Sequence, residues 1–429
     1  MSSSFLRKWG ALIFATLLCA NATASDLEPI DEVFDIRVDL AWGKDGEAAA
    51  FALVEKAFTR TPRPHVKTRY GEMLMTLGLG VAPAGEAGRG MDLVQEALDE
   101  GSVRAKAIVG WELLRGQRLP ADPTRGLALL QEAVTAGNIH AMIVLGRAYR
   151  YGVGMPADVQ IAELWFRRAA YLGSSQALYS LGHDYELGGI AGRADEAKAF
   201  ELYLEAAIRG SDAAGERLKS GMESGEPRAA RAHHLVILWY AAAGADFQRR
   251  QVKSAIAALE QSFPDDPVVL LALGRVYSTE GFGLRDYEKA HVALERAIRL
   301  GSADARAERA KLLAVGAGVK KDPAAALAEW RALEKRGNAR ALAELGFYHY
   351  WNSLKGTDVT KDPAKAFAYS RRAANAGDFW GQLNVAYCYE HGIGVDTNYA
   401  LAARYNRAAA WRGSREGARR MYKLLDHVK

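Results

Sequence analysis

The stretch that decides the fold is ALYSLGHDYELGGIAGRADEAKAFELYLEAAIRG, Ala177 to Gly210. Ala177, Leu181, Gly182 and Tyr185 fall at helical spacing and give a first helix one small, closely packing face. Gly188-Gly189 interrupts it. A second helical pattern runs through Ala197, Phe200, Tyr203, Ala206 and Ala207, and Gly210 stands where a left-handed C-terminal cap suits glycine. A single hairpin of this size cannot bury its apolar faces alone, so it needs neighbours of its own kind.

The chain supplies them. The closing glycine recurs as Gly101, Gly137, Gly173, Gly210, Gly301, Gly337, Gly377 and Gly413, with gaps of 36, 36, 37, 91, 36, 40 and 36 residues by subtraction. AMIVLGRAYRYGVG repeats the first helix with Ala141, Leu145, Gly146 and Tyr149, and Trp165, Ala169 and Ala170 follow in the second. ALAELGFYHY does so with Ala341, Leu345 and Gly346, followed by Tyr369, Ala373 and Ala374; GQLNVAYCYEHGIGV is a variant with Ala386 for the glycine and Tyr389 for the tyrosine. Asp122-Pro123, Asp322-Pro323 and Asp362-Pro363 each put an N-cap carboxylate before a proline whose missing amide hydrogen costs nothing. The predicted fold is all-α, a right-handed α-solenoid of stacked helix-turn-helix repeats.

These residues resemble the Sel-like repeat branch of the tetratricopeptide superfamily, whose unit runs A-x-x-x-L-G-x-x-Y, then G-x-G-V, then K-A-x-x-W-x-x-x-A-A-x-x-G. Gly152-Val153-Gly154, Gly316-Ala317-Gly318-Val319 and Gly392-Ile393-Gly394-Val395 supply the middle element. The resemblance covers Thr68 to Gly413. It implies protein–protein interaction and the assembly of envelope or signalling complexes. Some secreted bacterial members carry a disulfide in each repeat and are linked to β-lactam binding; the cysteines that mark them are missing here.

Residues 1–24 form a different object. Arg7 and Lys8 precede an apolar run from Trp9 to Ala20, and Ala22-Thr23-Ala24 offers the small residues a signal peptidase reads, so a secretory signal cleaved after Ala24 is expected. Its removal takes two cations and Cys19, lowering the formal charge from +5 to +3 and leaving Cys388 without a partner for an internal disulfide. So small a charge over the whole chain gives no case for nucleic acid, and no later stretch is apolar enough to span a membrane. The expected order continues with an acidic lead-in and looser helix hairpin over 25–66 and a first repeat array over 67–244. A joint over 245–300, containing an extra helix in QVKSAIAALEQSF, leads to a second array and capping tail over 301–429.

No catalytic motif is present: the sequence has no G-x-S-x-G, H-E-x-x-H, P-loop or paired C-x-x-C. Adjacent His233 and His234 point in different directions on a helix, and Cys388 occupies a packing register, so neither a metal site nor a reactive thiol is expected, and no cofactor. The informative register lies just after the Leu-Gly pair, which in tetratricopeptide arrays faces the concave groove. It reads Trp111, Arg147, His183, Arg275, Phe347 and Tyr387; three residues on, it includes Arg150, Glu186, Tyr350 and Glu390. These positions vary where the core repeats, and several are types that dominate binding energy. The expected function is that of an exported, non-enzymatic adaptor in the periplasm or outside the cell, binding one or more envelope proteins. The alternative is a cell-wall or exopolysaccharide assembly factor in which Trp351, Trp380 and Trp411 stack on glycan rings.

Overall fold

The computed structural model describes residues 31, 34–39, 41, 46–76, 86–189, 192–245, 248–280, 282–351 and 354–425. The expected signal segment lies outside the described residues. The chain divides into two compact units, one ending at Leu172 and one beginning at Gly173. Among the described residues every regular element is a helix. The first unit contains α1 (Glu47–Arg60), α2 (Pro64–Thr76), α3 (Ala87–Asp99), α4 (Val103–Arg115), α5 (Pro123–Thr135), α6 (Ile139–Tyr151) and α7 (Val159–Tyr171). The second opens with α8 (Ser175–Glu186), α9 (Glu196–Ile208), α10 (Asp212–Glu223), α11 (Pro227–Ala242), α12 (Arg249–Ser262), α13 (Pro267–Ser278) and α14 (Tyr287–Arg299). It ends with α15 (Ala303–Val315), α16 (Pro323–Glu334), α17 (Ala339–Trp351), α18 (Pro363–Asn375), α19 (Phe379–His391), α20 (Tyr399–Trp411) and α21 (Arg415–Leu425). Each unit is a stack of helix hairpins, an α-solenoid.

Capping sets where the helices begin. Asp122, Asp322 and Asp362 accept from the backbone amides of Arg125, Ala325 and Lys365 at 2.9–3.0 Å, and Asp266, before Pro267, accepts from Val268 and Val269. The same cap recurs without the proline at Asp158, Asp195, Asp286 and Asn398. First helices use a shorter side chain, as in Ser102, Ser174, Ser211 and Ser302, with Asn138 and Asp378 as variants. Each cap satisfies an otherwise orphaned amide and contributes about 1 kcal/mol. At the far end Gly137, at φ 78°, lets its own amide reach Val134 O and that of Asn138 reach Ala133 O, so the chain reverses within two residues.

The Leu-Gly pair explains the close approach of the two helices in a hairpin. A methyl on Gly146 would sit 2.6 Å from the Phe166 ring, and one on Gly182 would sit 2.8 Å from Tyr203. Gly110 faces Leu130 and Gly274 faces Leu294 in the same way. The partner stands 20 residues on in three of these hairpins (110 to 130, 146 to 166, 274 to 294). Gly346 faces Ser370, 24 residues on. The four extra residues between α17 and α18 therefore account for the single 40-residue gap while the contact keeps its register. Around these seams Trp165, Phe166, Tyr203 and Trp330 are almost wholly buried, and the Trp330 indole donates to Ala307 O at 3.1 Å.

The expected joint lies inside the second unit, not between units. There α12 follows α11, and the Tyr277 hydroxyl of α13 donates to Glu260 of α12 at 3.0 Å. The second unit also closes on itself. The Tyr240 hydroxyl, at the end of α11, reaches Ala207 O at 2.8 Å and Trp411 O at 3.1 Å, and Gly210 abuts Trp411. The C-terminal end of α20 thus returns to those of α9 and α11, and the Arg412 guanidinium donates to Gly377 O.

Filling the Leu-Gly slot should be costly although the change adds helix propensity. Gly146→Val is expected to destabilise the first unit by about 1–3 kcal/mol through overpacking against Phe166. Thermal unfolding followed by circular dichroism checks this; an unchanged midpoint would mean that the seam can open freely.

Candidate functional site

One face of α17 carries Arg340, Glu344, Phe347 and Trp351, spaced by four, three and four residues. Its N-terminal half is buried and ionic. Its C-terminal half is exposed and aromatic, Phe347 at 39% and Trp351 at 53%. The neighbouring α19 presents Trp380, Leu383, Tyr387 and His391 at matching spacing. The two faces enclose a groove of about 210 Å³ lined by Phe347, Tyr350, Trp351, Trp380, Leu383 and Tyr387, with Glu416 and Arg420 entering from α21.

The aromatic groups support one another. Tyr350 and Tyr387 lie 5.4 Å apart, Trp351 and Tyr387 6.2 Å, and the His391 ring stacks on Tyr387 at 4.0 Å. The hydrogen bond with Tyr387, helped by burial, pushes the Tyr350 phenol up to about 12. Cations lie over the rings. Arg420 is 4.7 Å from Tyr387, Lys361 5.6 Å from Tyr350, and Lys311 5.2 Å from Trp380. Glu390 sits at the edge, 3.5 Å from Arg420. Cys388 is on the floor, where burial pushes its thiol up to about 12, so it stays protonated at neutral pH. Among the described residues no cluster of three or more His, Cys, Asp or Glu is arranged to hold a metal ion. The groove offers ring faces, phenolic hydroxyls and cations for non-covalent contact.

The remaining residues of the predicted register have other surroundings. Arg275 donates to Glu308 at 2.7 Å and lies over Trp239 at 4.6 Å. Glu308 also accepts from Arg340 at 3.0 Å, and Arg340 bonds Glu344. Glu186 accepts from Arg217 at 3.0 Å and from the Tyr203 hydroxyl at 2.6 Å. The pairs Arg275–Glu308, Arg340–Glu308 and Arg217–Glu186 join residues about one repeat apart and tie first helix to first helix; Arg104 and Glu72 do the same in the first unit at 2.6 Å. His183 stands half-buried 6.5 Å from Tyr179. In the first unit Trp111 has Arg115 over its ring at 5.5 Å, Arg150 reaches over Tyr151 at 5.7 Å, and Arg147 is half-buried on the same helix as Arg150. The structure therefore gathers Phe347, Tyr350 and Tyr387 into one groove with Glu390 at its rim. It does not bring Arg275, His183 or Glu186 to that groove. Register reasoning missed Leu383 and Arg420. Leu383 is one helical turn from Tyr387, a signal available in the sequence, whereas Arg420 comes from a helix beyond the last repeat, where no periodicity points to it.

Six segments, residues 103–138, 139–174, 175–211, 303–328, 339–378 and 381–413, match the Sel1 repeat. The chain belongs to the Sel1 repeat family. Human protein sel-1 homolog 2 is 26% identical over 165 residues, which is 38% of this chain and 23% of that protein, so the match spans less than a quarter of the relative's length. Among solved structures, a protective antigen of uropathogenic Escherichia coli displaying an SLR fold is 19% identical at a TM-score of 0.31, covering 93% of this chain and 80% of that one. A Sel1 repeat protein from Oxalobacter formigenes is 23% identical at a TM-score of 0.29, covering 84% and 94%. Most of the groove lies on the last two matched Sel1 repeats, with Trp380 between them and Glu416 and Arg420 beyond them, and no match falls on residues 212–302.

The ties between Sel1 repeats carry a pH dependence. Burial opposes ionisation of Glu308, but Arg340 and Arg275 outweigh it and bring the carboxyl from 4.5 down to about 2. Because the folded value lies below the unfolded one, its stabilisation is present above about pH 4.5 and is lost as pH falls towards 2. Glu308→Gln should cost roughly 3–5 kcal/mol at neutral pH by leaving Arg275 without a carboxylate and Arg340 with Glu344 alone. It should also flatten the acid limb of a stability–pH profile measured by urea unfolding.

Proposed function

We propose that this protein is an exported adaptor of the bacterial cell envelope that holds a protein partner in the aromatic groove of α17 and α19. Sel1 repeat proteins mediate protein–protein interactions, and the carrying observation is the groove itself. Large rings are left partly exposed on a face whose other half is buried and fully occupied by ion pairs. Exposed aromatics that are already ordered by stacking lose little freedom on binding, which favours them as anchors. Export rests on Arg7, Lys8, the apolar run after them and Ala22-Thr23-Ala24. No described helix is long and apolar enough to cross a membrane.

The alternative glycan role rests on Trp351, Trp380 and Trp411. Trp351, Trp380 and Trp411 are all partly exposed, but only Trp351 and Trp380 line the groove, and Arg407 lies over Trp411 at 4.8 Å. The protein-partner reading therefore uses the observed groove more fully.

Crosslinking of the full chain in its native periplasm, followed by identification of the captured proteins, tests the proposal. The expected result is one envelope complex that is lost with Phe347→Ala plus Tyr387→Ala, a change expected to remove about 2–4 kcal/mol of binding. Capture that survives both substitutions would exclude the groove, and retention on cell-wall material with no protein captured would favour the glycan role.

A further inference from the structure

The four-three-four spacing that lays out the face of α17 recurs on the first helices of the first unit. On α2 it gives His65, Arg69 and Glu72, and on α4 it gives Arg104, Trp111 and Arg115. The α2 end of this face is already occupied by the chain itself. Residues 34–39 are helical, and Phe34 and Val38 share a buried cluster with Val66 and Tyr70. The same segment sets its acids against the bases of the face. Asp35 stands 3.1 Å from His65, 3.4 Å from Arg69 and 4.0 Å from Arg104, while Asp39 stands 3.8 Å from Arg69 and Asp31 pairs with Arg63. Asp31, Asp35 and Asp39 are spaced by four, so one side of a helix presents all three.

The adjoining stretch of the face is built alike but is left without an acid to match. On α6 the spacing gives Arg147 and Tyr151, the tyrosine 66% exposed. Arg115 lies over Trp111 at 5.5 Å and Arg150 over Tyr151 at 5.7 Å. Arg115 and Arg118 share one carboxylate, Glu112, at 3.7 and 2.9 Å. Arg147 is half-buried, and among the described residues its side chain makes no ion pair and no hydrogen bond. Between α2 and α4, therefore, Glu72 and Asp35 answer the arginines, whereas between α4 and α6 nothing answers Arg147.

We infer that the face of α4 and α6 receives an acidic helical segment of a protein partner, with one of its carboxylates on Arg147 and an apolar side chain beside Trp111. The surface belongs to the first unit and does not rest on the groove of α17 and α19. The occupant is chosen by what the face already accepts one helix earlier, a helix with an acid every fourth residue and phenylalanine and valine between. An arginine that holds nothing inside the protein gains a charge-assisted hydrogen bond from such a ligand without giving one up. A basic segment would meet a like charge there.

The test uses the full chain and a labelled synthetic peptide with the sequence of residues 26–41, read by fluorescence anisotropy. The peptide should bind and weaken with added salt, and its variant with Asp31→Asn, Asp35→Asn and Asp39→Asn should not bind. Arg147→Glu should weaken binding roughly three- to tenfold, and Arg147→Lys should weaken it less. The thermal midpoint of both variants should stay unchanged, because Arg147 pairs with nothing inside the protein. Phe347→Ala plus Tyr387→Ala should leave this binding intact. Binding indifferent to Arg147→Glu and to Trp111→Ala would mean that the peptide only replaces the chain's own segment on α2, and would overturn the inference. Absence of binding would overturn it as well. So would tighter binding of a heparin oligosaccharide that Arg147→Glu abolishes, which would assign the face to a polyanion. Self-association abolished by Arg147→Glu would overturn it in favour of a second copy's acidic segment.

Discussion

Everything in this protein depends on how closely two helices of a hairpin can approach at a residue with no side chain. A ring, a leucine or a serine from the second helix occupies the space where a Cβ would stand on the first, at Gly146, Gly182, Gly274 and Gly346. Because the slot is the same and its filler changes, hairpins of different sequence pack alike. Close packing of this kind tolerates little change in volume, so variation is displaced to the first-helix positions just beyond the glycine. That is where both the inter-repeat ions and the exposed aromatics are found.

Those two uses of one register divide the second unit. At Arg275, Glu308, Arg340 and Glu344 the face is occupied by its own charges, Glu308 joining Arg275 and Arg340 across successive repeats and Glu344 pairing with Arg340 within α17. Buried ion pairs add little net stability over apolar packing, but removal of one member leaves the other uncompensated. They therefore act as registers between hairpins more than as sources of stability. Beyond Glu344 the same face gives way to rings, and a stretch that packs internally becomes one that can be packed against.

The repeat, its caps and its closing glycines were legible because each has a local cause: a side chain accepting from an amide three residues on, or a φ that favours glycine. The insertion between α17 and α18 was legible as a gap but not as a preserved contact, since its meaning depends on Ser370 meeting Gly346. The candidate site was only partly legible. Register singled out Phe347, Tyr350 and Tyr387, which line one groove in the structure, yet gave Arg275 and Glu186, which do not line it, the same standing. Nothing local distinguishes an arginine that meets a glutamate in the next repeat from one that faces a ligand. Arg420 illustrates the converse, a contact supplied by a helix outside the period.

The return of α20 to α9 and α11 changes what kind of object the second unit is. An open stack can gain or lose a hairpin at the cost of one interface, and such arrays lengthen readily by duplication. Here Tyr240 holds Ala207 and Trp411 together through a single hydroxyl, across 171 residues of chain in the second case. Insertion of one more hairpin between them would carry Trp411 past its seat, so the contact counts the repeats. Between Ala207 and Trp411 the number of hairpins is fixed by that contact, and variation there is confined to altering hairpins in place.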